Sequence, residues 1–212
     1  MQTIFPDLLQ FSTHVPSIDL SFHQYLLSAT QPLLVHTGNK HQAAALIPHL
    51  KIALNGRTLN YIFISHFEAD ECGGLSHILT HFPAAKPICS EVTARQLNGF
   101  GITNDVVIGT PGESFVTNDY ELQFLAYPSE MHLWEGLLAR ENKRGIFFSS
   151  DLMLRFGNSG GTVVESEWST EINNIKPEQV PDPARRTLLQ DTLAQFKPRF
   201  VATGHGPCLN CK

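Results

Sequence analysis

The sequence lacks long apolar runs, basic clusters, and a basic stretch followed by apolar residues at its start. No apolar run approaches the roughly 18 residues that a membrane-spanning helix needs, and residues 1–7 do not have the form of a secretory signal. Lys and Arg number 15 against 20 Asp and Glu, and they are scattered, so the positive patch that nucleic-acid phosphates require is missing. We therefore expect a cytoplasmic protein that binds neither a membrane nor nucleic acid.

Cysteine is scarce, and no low-complexity or linker-like segment divides the chain. Cysteines at only four positions (72, 89, 208 and 211) do not indicate a disulfide framework in a chain of 212 residues. A hydrophobic fraction of 42% and a charged fraction of 17% are typical of an ordinary folded protein. We therefore predict that residues 1–212 form a single domain with reduced thiols.

The first half of the chain alternates between apolar strand-like segments and helical patterns. This alternation indicates an α/β layer. The predicted strands are 22–27 and 31–36, which form a hairpin, then 60–65, 87–90 and 105–108; the predicted helices are 41–54, 73–82 and 91–98.

The second half is richer in strands, with a hairpin around Asn142 and Lys143. Residues 155–176 are polar and Gly-rich with an isolated Trp168, which predicts a long functional loop. The pair Cys208 and Cys211 is consistent with a redox or metal role, but we expect two thiols on a frayed terminus. The predicted strands are 114–116, 121–127, 136–140, 145–150 and 200–203, and the last helix is 177–196.

The run His66-Phe-Glu68-Ala-Asp70-Glu71 carries the strongest chemical signal, because it directly follows the buried strand 60–65. In near-extended backbone, alternate residues project to the same side, so His66, Glu68 and Asp70 are expected to converge. One imidazole and two carboxylates suit iron or manganese at least as well as zinc. The run therefore predicts a metal site on a strand-to-helix turn.

Three later residues, His132, Asp151 and His205, each lie just beyond the end of a predicted strand. Open α/β sheets place ligands at such ends. Bringing these ends together gives a site for two metal ions: His66, Glu68 and His132 for the first, Asp70 and His205 for the second, and Asp151 as the bridge.

With these residues, the chain resembles proteins of the metallo-β-lactamase fold over nearly its whole length. The resemblance implies a four-layer αββα sandwich. Most of that superfamily carries H-x-H-x-D-H and uses zinc for hydrolysis, whereas His66-x-Glu68-x-Asp70 resembles the diiron domain of flavodiiron proteins. The order and spacing of His132, Asp151 and His205, with Trp134 and Phe156-Gly157 nearby, are similar to that family as well.

The sequence departs from the flavodiiron pattern at two places. The family's motif normally ends in His, and here that position is Glu71, so the second metal gains a carboxylate, accepts a water or binds more weakly. Glu71 is equally explained as an acidic residue that begins a helix. Flavodiiron proteins also continue into a flavodoxin-like domain that holds FMN, whereas this sequence ends at Lys212. The expectation is that this chain alone binds no FMN and receives electrons from an external flavoprotein or rubredoxin-like reductase.

The resemblance implies a non-haem diiron protein that binds or reduces O2 or NO, with Asp151 and Glu71 as its candidate catalytic carboxylates. A sensor of oxygen or iron is consistent with the same site. The alternative is a dinuclear zinc or manganese hydrolase whose substrate enters over residues 155–176, although Glu68 stands where the hydrolases have an imidazole. Flavodiiron proteins pair head to tail so that one subunit's flavin meets the other's iron. Without a flavin domain that reason for dimerising disappears, and the sequence leaves a homodimer open.

Overall fold

Two seven-stranded sheets form the framework of the protein, and each is built from one half of the chain. The computed structural model describes residues 1–128 and 136–212. The first half contains strands β1 (Gln2–Phe5), β2 (Leu8–Val15), β3 (Leu20–Leu27), β4 (Leu33–Val35), β5 (Tyr61–Phe63), β6 (Lys86–Cys89) and β7 (Val107–Ile108), and helices α1 (Lys40–Leu54), α2 (Ala69–Cys72), α3 (Leu75–His81) and α4 (Glu91–Gly99).

The second half contains strands β8 (Ser114–Val116), β9 (Glu121–Tyr127), β10 (Gly136–Glu141), β11 (Ile146–Ser150), β12 (Val163–Ser166), β13 (Phe200–Thr203) and β14 (Cys208–Cys211), and helices α5 (Trp168–Asn173) and α6 (Pro183–Ala194). The first sheet has the order β1-β2-β3-β4-β5-β6-β7, antiparallel as far as β4 and parallel from there. The second has the order β12-β14-β13-β11-β10-β9-β8, in which β11 and β13 are parallel.

Alternating side chains on the strands explain why the layers stack as they do. On β3, Leu26 packs beneath helices α1 and α3, whereas its neighbour Leu27 faces the second sheet. The outer face of the second sheet, which includes Phe147, packs against α5 and α6. The order helix, sheet, sheet, helix is the predicted αββα sandwich.

The N-terminal strands β1 and β2 are not among the elements that the sequence predicts, and several observed boundaries differ from the predicted ones. The hairpin of β3 and β4, helix α1, and strands β9 and β13 lie where the sequence predicts them. The last helix is shorter than the predicted 177–196. It begins at Pro183, directly after its N-cap residue Asp182.

Two predictions about irregular segments are wrong. Residues 155–176 are not a long loop, because they contain β12 and α5. Trp168 is buried, and its indole N–H donates hydrogen bonds to the carbonyls of Leu193 and Phe196. The C-terminal segment is not frayed either: β14 pairs with β12 and β13, and Cys208 is fully buried.

Within residues 1–128 and 136–212, no helix has the length and apolar character needed to cross a membrane.

Candidate metal centre

Strand ends from both sheets meet at one edge of the sandwich and carry the candidate ligands. His66 follows β5 of the first sheet, while Asp151 and His205 follow β11 and β13 of the second. The amide of Leu137 on β10 donates to the carbonyl of Ser65 at 2.7 Å and joins the sheets beside the site. The remaining acidic residues come from α2 and its N-cap position, where Glu68 stands.

Asp151 lies between the two imidazoles and offers one carboxylate oxygen to each. Its Oδ2 is 3.4 Å from Nε2 of His66, and its Oδ1 is 3.3 Å from Nε2 of His205. On the outer sides, Nε2 of His66 is 3.1 Å from Oε2 of Glu68, and Nε2 of His205 is 3.3 Å from Oδ2 of Asp70. This arrangement has two halves that share one carboxylate.

The second nitrogen of each imidazole is held by a neighbouring group. Nδ1 of His205 donates to the carbonyl of Ser21 at 3.0 Å, and Nδ1 of His66 lies 2.9 Å from the hydroxyl of Ser65. A carbonyl only accepts, so His205 carries a proton on Nδ1 and directs Nε2 towards the acidic residues. Histidines that bind metals are oriented in this way in proteins.

Helix α2 turns Asp70 and Glu71 into the site, and this corrects the expected near-extended run. Glu68 has extended backbone (φ −137°), but residues 69–72 are helical. The amide of Thr37 donates to the carbonyl of Glu71, and the amide of Gly74 donates to the carbonyl of Gly38, both at 2.8 Å. The turn after β4 therefore fixes α2, and the helical turn is what brings two successive carboxylates to the same place.

The charges of the site are strongly perturbed by burial and by each other. Burial and the neighbouring carboxylates of Asp151 and Asp70 raise the pKa of Glu71 well above its ordinary value. Burial lowers the pKa of His205, but its bonds to Asp151 and Asp70 outweigh burial and raise that pKa to about 10. Burial raises the pKa of Asp70, but the His205 partner outweighs it and lowers that pKa to about 2. Such a concentration of acidic groups is typical of a functional site.

The residues present fit metal ions. His66, Glu71 and Asp151 form one group whose ligand atoms lie within 4.8 Å of one another, and Asp70, Glu71 and His205 form a second. Oε2 of Glu71 is buried without a hydrogen-bond partner among the described residues. A buried carboxylate oxygen without a partner is costly unless a cation compensates it.

Two aromatic rings pack against the imidazoles and bring a hydroxyl into the site. The ring of Tyr127 meets that of His66 edge to face at 5.6 Å, and Phe22 meets His205 in the same manner at 4.9 Å. The Tyr127 hydroxyl hydrogen-bonds to Asp151, and burial together with that carboxylate raises the pKa of Tyr127 well above its ordinary value. Tyr127 therefore steadies the shared carboxylate.

The structure brings together His66, Glu68, Asp70, Glu71, Asp151 and His205 from the predicted set. His132 lies outside the described residues, as do Met131 and Trp134. Ser65 and Ser150, whose hydroxyl groups lie beside the candidate ligands, are not in the set predicted from the sequence. A signal for both exists in the sequence, since each is a hydroxyl residue immediately before a strand-end ligand.

A family model described as "ODP family beta lactamase" matches residues 20–206 of the chain. The chain belongs to this family. The match includes all the residues of the candidate site, from Ser21 to His205.

Relatives of this ODP-family chain are longer flavoproteins. It is 22% identical over 197 residues to a putative diflavin flavoprotein from Nostoc sp., covering 89% of this chain and 34% of that protein. It is 22% identical over 134 residues to an anaerobic nitric oxide reductase flavorubredoxin from Salmonella arizonae, covering 62% of this chain and 28% of that protein. The chain thus spans about a third of the length of these curated relatives.

The crystal structure of the flavodiiron protein from Giardia intestinalis has the same fold. Its TM-score is 0.78 at 13% sequence identity, and the match covers 99% of this chain and 55% of that one. The predicted resemblance to the flavodiiron core of the metallo-β-lactamase fold is confirmed.

A cleft of about 710 Å³ opens beside Asp151 of this ODP-family protein, between the segment after β11 and helix α5. Its walls include Met153, Arg155 and Lys176, and Phe156 stands at its mouth, 71% exposed. Arg155 pairs with the buried Glu171 across the cleft at 2.5 Å. Among the candidate ligands that the structure describes, Asp151 is the one that lines this cleft.

Proposed function

We propose that this chain is a non-haem diiron protein that binds or reduces O2 or NO at a carboxylate-bridged dinuclear centre. The observation that carries the proposal is the position of Asp151, which offers one oxygen to the His66 half of the site and the other to the His205 half. The names of its relatives, a diflavin flavoprotein and a nitric oxide reductase flavorubredoxin, support the same class of chemistry.

The two halves of the site supply the ligands in this proposal. Nε2 of His66 and the carboxylate of Glu68 hold the first ion, with His132 as a further ligand. Nε2 of His205 and the carboxylate of Asp70 hold the second, and Asp151 bridges the two. Three carboxylates and three imidazoles make a borderline-to-hard ligand set, which suits iron or manganese at least as well as zinc.

When bound, two ferrous ions supply electrons and polarise a diatomic ligand from both ends. The protein's own residues prepare for this chemistry by position. Ser65 and the carbonyl of Ser21 hold the imidazoles so that Nε2 faces inward. The hydroxyl of Tyr127 holds a proton beside Asp151, and the rings of Tyr127 and Phe22 pack against the edges of the imidazoles.

We propose that an external flavoprotein or rubredoxin-like reductase supplies the electrons for repeated turnover. The support is the flavin and rubredoxin chemistry in the names of the relatives. A sensor of oxygen or iron would use the same site without turnover, and sustained oxygen consumption with a reduced flavoprotein would distinguish the reductase from it. The single domain, the cytoplasmic location and the homodimer stay predictions.

Anaerobic reconstitution with ferrous iron tests the proposal. The expected result is two iron ions per chain and an optical band that develops when oxygen is admitted. Asp151→Asn should hold less than two iron ions and lose the band, because an amide is a poor bridge. A protein that retains only zinc and does not react with oxygen would contradict the proposal.

The cleft beside Asp151 favours a second candidate, a dinuclear zinc or manganese hydrolase. A space of about 710 Å³ far exceeds what a diatomic gas requires, and both basic side chains (Arg155 and Lys176) and acidic ones (Glu171 and Glu178) line it. Panels of esters, thioesters and phosphodiesters with zinc and manganese test this candidate. Turnover that Asp151→Asn abolishes would support it over iron chemistry.

A further inference from the structure

Glu71 belongs to both halves of the candidate centre. Its carboxylate is within 4.8 Å of the ligand atoms of His66 and Asp151 in one group, and of Asp70 and His205 in the other. Its Oε2 is 3.9 Å from Nε2 of His66. Asp151 is the other shared carboxylate, since its two oxygens face the imidazoles of His66 and His205.

The alternative role of Glu71, as an acidic residue that stabilises the start of a helix, finds no support in its contacts. Helix α2 has only four residues, and no side chain caps its N-terminus. Glu71 is 1% exposed, shares a hydrogen bond with Asp70, and leaves Oε2 without a partner among the described residues. A surface capping residue would be solvated, whereas this oxygen is buried and faces the imidazole of His66.

The backbone around Glu71 holds the carboxylate in place. The carbonyl of Glu71 accepts hydrogen bonds from the amide of Thr37 at 2.8 Å and from the Thr37 hydroxyl at 3.2 Å. The next turn is tied to Gly38 through the amide of Gly74. The side chain thus starts from a fixed point between the two halves of the site.

We propose that Glu71 is a second bridging ligand, shared by the two metal ions together with Asp151. The proposal rests on the dinuclear centre of the proposed function and adds a ligand that the flavodiiron pattern does not have, because that pattern has His at this position. Glu68, Asp70, Glu71 and Asp151 then supply four negative charges against four positive charges from two divalent ions. A centre whose carboxylates balance the charge of both ions stabilises those ions and favours their higher oxidation state. A histidine at position 71 would leave one positive charge uncompensated.

The test is anaerobic calorimetric titration of the full chain with Mn2+, a cation of suitable hardness that stays divalent. The wild-type protein should bind two Mn2+ per chain. Glu71→Gln keeps the size of the side chain but removes its charge, and we expect it to weaken both binding steps by about tenfold or more. Glu71→His presents a single nitrogen to the centre. The affinity of one Mn2+-binding step should therefore recover, and the affinity of the other should remain low.

Glu141→Gln is the matched control, since Glu141 is also a fully buried carboxylate but accepts hydrogen bonds from the amides of Lys143 and Arg144 far along the sheet. It should lower the unfolding temperature and leave both Mn2+ affinities unchanged. If Glu71→Gln weakens one step only, or neither, Glu71 is not a bridge although the dinuclear centre stands. If the wild-type protein does not bind two cations, the proposed function fails and this inference fails with it. If Glu71→Gln does not fold, the titration of Glu71→His tests the proposal. One strong and one weak Mn2+-binding step would support it, and two steps of equal affinity would overturn it.

Discussion

The hydroxyl oxygens of Ser65 and Ser150 lie 2.8 Å apart, and their buried hydrogen bond joins the two sheets beside the candidate metal centre. Ser65 immediately precedes His66, and Ser150 immediately precedes Asp151. The bond therefore fixes the distance between one imidazole and the shared carboxylate through the backbone. A site held in this manner loses little conformational freedom when it binds a cation.

Ser65→Ala should lower metal affinity more than it lowers stability. The substitution removes both the link to Ser150 and the partner of Nδ1 of His66. We expect metal affinity to fall by about tenfold, with a loss of about 1 kcal/mol in the free energy of unfolding. Titration with Mn2+ and urea denaturation measure the two effects.

The control for Ser65→Ala is Thr117→Ala in the turn between β8 and β9, where the Thr117 hydroxyl donates to the carbonyl of Tyr120 at 3.1 Å. It should destabilise the protein by a similar amount without changing metal affinity. Equal metal affinities for wild type and Ser65→Ala would show that the inter-sheet bond has no role in the centre.

Gly74→Ala should displace helix α2 and weaken the centre. A Cβ at this position would lie 2.3 Å from Cβ of Ala43 and 2.9 Å from the carbonyl oxygen of Gly38. Overpacking of this kind costs about 1–3 kcal/mol, and movement of α2 carries Asp70 and Glu71 away from the imidazoles. Thermal unfolding and metal titration check both effects.

Gly99→Ala is the control for Gly74→Ala, because a Cβ at Gly99 meets nothing within 4 Å. Alanine favours helix over glycine, so this variant should be as stable as the wild type or slightly more stable. A Gly74→Ala protein that matches it in stability and metal content would refute the proposed packing constraint.

His23 should make stability fall as the pH is lowered. Its Nε2 hydrogen-bonds to the carbonyl of Gly206 at 2.8 Å, and its buried Nδ1 has no hydrogen-bond partner among the described residues. Burial lowers its pKa from 6.5 to about 4. The unfolded chain therefore gains a proton below pH 6.5 that the folded chain gains only near pH 4, and the stability present above 6.5 is lost progressively through this window.

The measurement for His23 is the free energy of unfolding at pH 7.5 and at pH 5 for the wild type and His23→Gln, since glutamine can still donate to Gly206. The wild type should lose about 2 kcal/mol more than the variant between the two pH values. Identical losses would mean that His23 binds its proton as readily in the folded protein as in the unfolded chain.

Trp168→Phe should destabilise the fold without affecting the centre. The substitution removes the N–H that donates to the carbonyls of Leu193 at 3.1 Å and Phe196 at 2.7 Å, at the end of α6. The Leu193 carbonyl keeps the amide of Phe196 as a donor, so the loss falls mainly on the carbonyl of Phe196. We expect it to cost about 1–3 kcal/mol, and urea denaturation measures the loss.

The control is Phe156→Ser, at a side chain that is 71% exposed, which should change the free energy of unfolding by less than about 0.5 kcal/mol. A Trp168→Phe protein as stable as Phe156→Ser would contradict the assigned role of the indole.

The elements with strong local signals could be predicted from the sequence. Helix α1 has its capping box at Asn39 and Gln42 and ends at Asn55 in the left-handed region, and these are local features. The candidate ligands could be predicted as well, because each follows an apolar strand that the sequence shows. Strand β12 could not be predicted, because its pairing partner β14 lies some 45 residues further along the chain.

The geometry of the site depends on contacts that sequence does not reveal. The four residues of α2 have no helical pattern of their own, and their conformation depends on Thr37 and Gly38 from another turn. The buried state of Cys208 likewise depends on Tyr25 of the opposite sheet, whose hydroxyl is 3.3 Å from its Sγ. Tertiary contacts decide both, so a local pattern predicts the ligand types but not which carboxylates are shared.

Mössbauer spectroscopy of the protein loaded anaerobically with isotopically enriched iron tests the central claim most directly. The account predicts two iron ions per wild-type chain that become a magnetically coupled pair on oxidation, and loss of that coupling in Asp151→Asn. A single iron ion per chain, or two ions that show no coupling, would contradict it.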